Sequence, residues 1–221
     1  MKRITAILAV TALIISARGQ GFLNLNFESA QNLPGNPGNG ELVSVTNALP
    51  DWTAYGGPAI SGNALSSIYY VSNSLGNVSG SVELEGGTLA LSGDFSVELF
   101  MNSAISQTGM VPDNAESLEF EAGGVAAGGT FAASGFSVTL GVDTLLCSAI
   151  SEGPDYTVYG ANIPSGLDGL SEALIFSCQG GGSGQVQLDD IEFLPTSIPE
   201  PSEWALIGMG AVALLVRRRR C

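Results

Sequence analysis

Histidine is absent from this sequence, and the seven basic residues occur only near its two ends: Lys2, Arg3 and Arg18 at one, Arg217, Arg218, Arg219 and Arg220 at the other. From Gly19 to Ile198 there is no Lys, Arg or His. The same interval holds 19 Asp or Glu residues, the 21 of the whole chain less Glu200 and Glu203, so its formal charge is −19 against −14 for the full sequence. No internal salt bridge can form there, and self-repulsion has to be relieved by screening, protonation or bound cations. Nucleic acid is excluded as a partner, because nothing in the interval can neutralise phosphates. A Ser-His-Asp or Cys-His site would lack its base, and an oxyanion or phosphoryl clamp its cationic side chain. Without imidazoles, two cysteines alone make a poor zinc site. The acids leave open a glycosidase-type carboxylate pair, Glu83 with Glu85 or Glu119 with Glu121, each at i,i+2 on one strand face. Alternating acids on a strand more often form its solvated face, which is the reading taken here, with no catalytic residue assigned.

Long apolar runs are also missing. The first, Ile4 to Ile15, follows Lys2 and Arg3 and precedes small residues, the layout of a secretory signal peptide. Ala17 and Gly19 supply the −3 and −1 positions, so residues 1–19 are predicted to be removed and the mature chain to begin at Gln20. The second run, Trp204 to Val216, is 13 residues. As a helix it would span only ~20 Å, against a hydrocarbon core of ~30 Å. Trp204 suits one interface, and the guanidinium groups of Arg217, Arg218, Arg219 and Arg220 can snorkel from the other. Those four arginines also orient the segment, leaving the chain before Pro199 outside. One short C-terminal transmembrane helix is therefore expected.

What remains, residues 20–197, is long enough for one domain with a sizeable core. Short runs of alternating, β-branched or aromatic residues are separated by Gly, Asn, Pro and Ser clusters, as in an all-β protein. Strands are predicted over Phe22–Glu28, Glu41–Thr46, Asp51–Tyr55, Ser67–Ser72, Val78–Leu84, Thr88–Leu91 and Phe95–Asn102. Others follow over Ser117–Ala122, Gly135–Val142, Leu145–Ile150, Tyr156–Tyr159, Ala173–Cys178 and Gln185–Phe193. In the last of these Val186 and Leu188 lie in one phase and Ile191 and Phe193 in the other, which predicts a bulge at Asp189-Asp190. About a dozen short strands at this spacing favour an antiparallel β-sandwich.

Trp52, Tyr55, Tyr69, Tyr70, Tyr156 and Tyr159 are candidates for sugar stacking, Trp52 and Tyr55 first; aromatics at sheet positions more often pack in the core or across strands. Cys147 and Cys178 are the cysteines left in the 20–197 region. Adjacent strands would bring them within disulfide distance in an exported chain, and two separate thiols are the alternative. Asn77-Val78-Ser79 matches a glycosylation sequon.

Residues 198–221 contain Pro199-Glu200-Pro201, the short apolar run and the arginine cluster in that order, with Cys221 as an extra last residue. This layout is similar to the PEP-CTERM sorting signal of exported bacterial proteins. The resemblance implies recognition by an exosortase, removal of the tail near the triplet, and a surface or extracellular destination through the Sec machinery and an inner-membrane intermediate. Two further stretches, FLNLNFE near the start and VQLDDIEF near the end, resemble the first and last strands of carbohydrate-binding-module-like jelly rolls; ALPDWTAYGG resembles the Pro-x-Trp stretch of such modules. That resemblance implies termini that meet in space and a structural calcium beside them, for which Glu28, Asp189 and Asp190 are the matching residues. The expected function is that of a non-enzymatic cell-surface or extracellular-matrix protein. A carbohydrate-binding module for extracellular polysaccharide is the alternative.

Overall fold

The computed structural model describes residues 21–35, 40–56, 63–72, 81–123, 135–179 and 185–199. The expected signal peptide and the Asn77 sequon lie outside the described residues. So does the tail from Glu200 onward, including Pro201 of the sorting triplet and the expected membrane-orienting Arg217, Arg218, Arg219 and Arg220. Among the described residues no helix is long and apolar enough to cross a membrane.

Two sheets form a jelly-roll-like β-sandwich. The larger has eight strands in the order β1 (Glu41–Ser44), β4 (Ser67–Val71), β5 (Val82–Gly86), β6 (Phe95–Leu99), β14 (Val186–Leu194), β8 (Ser117–Gly123), β12 (Thr157–Asn162) and β11 (Ser148–Glu152). The smaller has six, in the order β10 (Asp143–Leu145), β9 (Phe136–Leu140), β13 (Ser171–Cys178), β7 (Ser103–Met110), β2 (Thr53–Gly56) and β3 (Asn63–Ala64). Neighbouring strands are antiparallel except β4 and β5, which run parallel. Period-2 patterning sends Leu84, Leu99, Phe120 and Leu188 inward from the large sheet and Ile105, Val138, Leu174 and Phe176 inward from the small one. Each such side chain contributes roughly 1.5–3 kcal/mol on burial. Phe176 ties the layers together, edge-on to Phe120 at 5.3 Å and 6.3 Å from the Trp52 ring. The two ends of the domain meet: the Ile191 N–H donates to the Leu25 carbonyl at 3.0 Å, and Phe22 stacks on Phe193 at 5.0 Å.

Three strand expectations are corrected, and one strand is unexpected. Phe22–Glu28 alternates like a strand but carries turns, with Asn24 at φ 48° and Phe27 at φ 57°. Asn tolerates that conformation because its side chain bonds locally: Asn24 Oδ1 accepts the Ser29 N–H at 3.0 Å and Nδ2 donates to the Pro50 carbonyl at 3.0 Å. Gln107 of β7 replaces a strand neighbour for this segment, its Oε1 accepting the Leu23 N–H at 2.6 Å and its Nε2 donating to the Leu23 carbonyl at 2.8 Å. Thr88–Leu91 is not a strand; a single 3-10 turn covers Gly87–Leu89. Leu145–Ile150 is split between β10 and β11. Strand β7, central to the small sheet and paired with β13 along its whole length, has no counterpart among the expected strands.

Candidate functional site

The strands of the large sheet put their apolar residues inward, so their acids share the opposite, outer face. On β5 that face holds Glu83 and Glu85. Glu83 pairs directly with Glu98 of β6, and Glu85 pairs with Ser96. On the other side the parallel strand β4 sets Tyr69 beside Glu83 and Val71 beside Glu85. The solvated face expected for these acids is not what forms. Glu83 is 2% exposed and Glu85 6%. Among the described residues, Glu83, Glu85 and Glu98 form one group in which each lends a carboxylate oxygen and all these oxygens lie within 4.8 Å of one another. Glu85 Oε2 is buried with no hydrogen-bond partner. Burial first, then the Glu98 carboxylate, the hydrogen bond the two share, and Glu83 push Glu85 up to about 8. Burial also raises Glu98, with the hydrogen bond from Glu85 pulling the other way.

A second concentration of acid lies across β14, β8 and β12. The predicted bulge is present: pairing between β14 and β8 shifts register between Asp189 and Glu192, and Asp190 takes φ 42°. Around it Glu119, Glu121, Asp190 and Glu192 line a shallow groove of about 400 Å³. Burial is the first cause of the raised values of Glu119 and Glu121, with Glu192 adding at the former and Asp190 at the latter.

Among the described residues, the expected calcium ligands Glu28, Asp189 and Asp190 do not form a group whose carboxylate oxygens all lie within 4.8 Å of one another. Asp189 is 1% exposed. Its Oδ2 accepts the Ser92 N–H at 3.0 Å and its Oδ1 the Asp190 N–H at 2.8 Å. Burial pushes Asp189 up to about 8 in spite of those two bonds. Glu28 Oε1 accepts the N–H groups of Asp94 and Phe95 at 2.8 and 3.0 Å. Glu28 and Asp189 therefore hold opposite ends of one turn, Ser92 to Phe95. Gly93 at its tip (φ +57°) has no room for a Cβ, which would meet Glu28 Oε1. Asp190 is exposed.

The aromatic and cysteine expectations separate cleanly. Trp52 is 4% exposed, so it presents no stacking face; its indole N–H donates to the Asn24 carbonyl at 2.9 Å and its ring lies 5.7 Å from Phe27. Tyr159 is buried against Phe120 at 6.1 Å. Tyr70 lies 6.1 Å from Phe95, with its ring against Gly86, and Tyr156 hydrogen-bonds Glu121. Tyr55 and Tyr69 remain partly exposed. Cys147 and Cys178 are not joined by a disulfide: Cys178 ends a core strand, whereas Cys147 follows β10 with its thiol directed at the Leu145 carbonyl. Burial pushes the Cys147 thiol up to about 12.

At the C-terminal exit, Ser117 Oγ donates to the Thr196 carbonyl at 2.8 Å, and the Ser197 N–H donates to Glu116 Oε2 at 3.0 Å. Ile198 and Pro199 help line a groove of about 510 Å³ with Thr144–Ser148 and Gly160–Asn162. Residues 197–220, which begin at this docked exit and include Pro199, Glu200, Pro201, Arg217, Arg218, Arg219 and Arg220, match the family model for the PEP-CTERM protein-sorting motif. The chain carries a PEP-CTERM sorting signal. Its match starts one residue before the expected boundary and stops short of Cys221. The signal marks an exported protein. No curated protein matches the chain. Two solved structures are similar to it: TmCBM61 in complex with β-1,4-galactotriose, at 12% identity over 79% of this chain and 97% of that one, with a TM-score of 0.37; and CBM51 from Clostridium perfringens GH95 in complex with methyl-galactose, at 14% identity over 71% and 90%, with a TM-score of 0.30.

Proposed function

We propose that this chain is a non-enzymatic cell-surface or extracellular-matrix protein. In this reading the Sec machinery exports it and residues 1–19 are removed. The segment 204–216 then holds it in the inner membrane, with Arg217, Arg218, Arg219 and Arg220 on the cytoplasmic side, until an exosortase cuts near Pro199-Glu200-Pro201. The sorting motif at 197–220, set directly after a docked β-sandwich, carries this proposal. A glycosidase reading finds little support at Glu83 and Glu85, which are 2% and 6% exposed and leave a sugar no route between them; the other pair, Glu119 and Glu121, lines the open groove beside Asp190 and Glu192. Replacing Pro199, Glu200 and Pro201 by alanine tests the proposal: the protein should accumulate in the membrane with its tail intact. Unchanged tail removal and surface delivery would overturn it.

Binding of extracellular polysaccharide is the second reading, and it has no platform in the buried Trp52. It rests on Tyr55 and Tyr69, whose rings are partly exposed on different sheets. Glycan-array binding that disappears in Tyr55→Ala or Tyr69→Ala would support it, and binding unaffected by both would not.

A further inference from the structure

We propose that Glu83, Glu85 and Glu98 form a buried binding site for a hard divalent cation, calcium before magnesium, on the outer face of the large sheet. The register builds it. Glu83 and Glu98 are directly paired across β5 and β6, and Glu85 lies two residues along the same face. Their contributing oxygens all lie within 4.8 Å of one another. Ligands on opposite sides of one Ca²⁺ are about 4.6–5.2 Å apart, so a single ion can reach all three carboxylates with little movement. The unpartnered, buried Oε2 of Glu85 is an independent sign that a ligand is wanted there. A buried polar oxygen without a partner is destabilising, and more so when it is charged. No side chain can supply the counter-charge, since Gly19 to Ile198 contains no Lys, Arg or His. Relief has to come from a proton held between Glu85 and Glu98 or from a solvent cation, and a cation that binds there displaces the proton.

The donor set selects the ion. Three carboxylates offer up to six oxygens and neither imidazole nor thiolate, which suits a hard cation over zinc or copper. Mg²⁺ keeps several waters in a strict octahedron, whereas Ca²⁺ accepts bidentate carboxylates in irregular shells. With Glu83 and Glu85 almost inaccessible to water, the second requirement is the easier one to meet.

The test uses the full chain in detergent, stripped with EDTA and titrated calorimetrically with CaCl2 and with MgCl2 in constant NaCl. One saturable Ca²⁺ per chain is expected, with weaker Mg²⁺ binding. Glu85→Gln and Glu98→Gln should each weaken Ca²⁺ at least tenfold, while Asp168→Asn, on an exposed turn, should change it less than twofold. Melting guards against variants that merely misfold. Without calcium, at a pH above the point where Glu85 loses its proton, Glu85→Gln should melt at or above the wild-type temperature, because a buried repulsion is gone, and calcium should no longer raise it. The proposal is overturned by the absence of a saturable site or by undiminished affinity in both Gln variants. A loss of affinity that follows Asp189→Asn/Asp190→Asn and spares Glu85→Gln would overturn it equally.

Discussion

Asn162 of β12 holds Ile198 by both of its backbone groups, Nδ2 donating to the carbonyl at 3.0 Å and Oδ1 accepting the N–H at 2.6 Å. A side-chain amide thus stands in for an edge-strand partner one residue before Pro199. Asn162→Ala should release the amide of Ile198 to fast hydrogen exchange, while the Ser197 amide keeps its partner at Glu116 Oε2. The pair is exposed, so global stability should fall by only about 1 kcal/mol or less. Protection at Ile198 that survives the substitution would mean that Asn162 is not its anchor.

Trp52 is a core residue whose N–H also fixes the turn at Asn24. Trp52→Ala should therefore cost about 3–5 kcal/mol in urea unfolding through the cavity it leaves. Trp52→Phe should cost less, since it keeps part of the ring packing and loses the hydrogen bond. A Trp52→Ala variant of wild-type stability would contradict this placement.

Metal-free protein should lose stability as pH rises. Glu85 and Asp189 lie near 8 when folded, against ordinary values of 4.5 and 3.8. Between about pH 4 and 8 the folded chain accordingly binds more protons than the unfolded one, and stability falls with rising pH across that window. Melting in EDTA should drop from about pH 5 to pH 8, and Glu85→Gln should flatten part of the slope. A melting temperature that rises over the same range would contradict both assignments.

The features legible in the sequence were those with local causes. The bulge at Asp189-Asp190 follows from the phase change between Leu188 and Ile191. The sandwich class follows from strand spacing, and the sorting motif from one contiguous stretch. What escaped depended on partners distant in sequence. Strand β7 carries buried Ser103, Gln107 and Gly109 where an apolar pattern would have announced it. Phe22–Glu28 has the alternation of a strand, but Asn24 finds its partners at Ser29, Pro50 and Trp52, so the chain turns instead. The carboxylate group was half visible: Glu83 and Glu85 share a face at i,i+2, but neither Glu98 opposite nor the burial of that face can be read from β5 alone.

The sorting reading stands or falls on the mass of the protein recovered from the cell surface. Intact-mass analysis should give a chain that begins at Gln20 and ends near the Pro-Glu-Pro triplet. Having lost Arg18 at one end and Arg217, Arg218, Arg219 and Arg220 at the other, that species should yield no tryptic fragments even after denaturation, because no Lys or Arg lies between them. Surface protein that still carries the four arginines would contradict processing at the sorting signal.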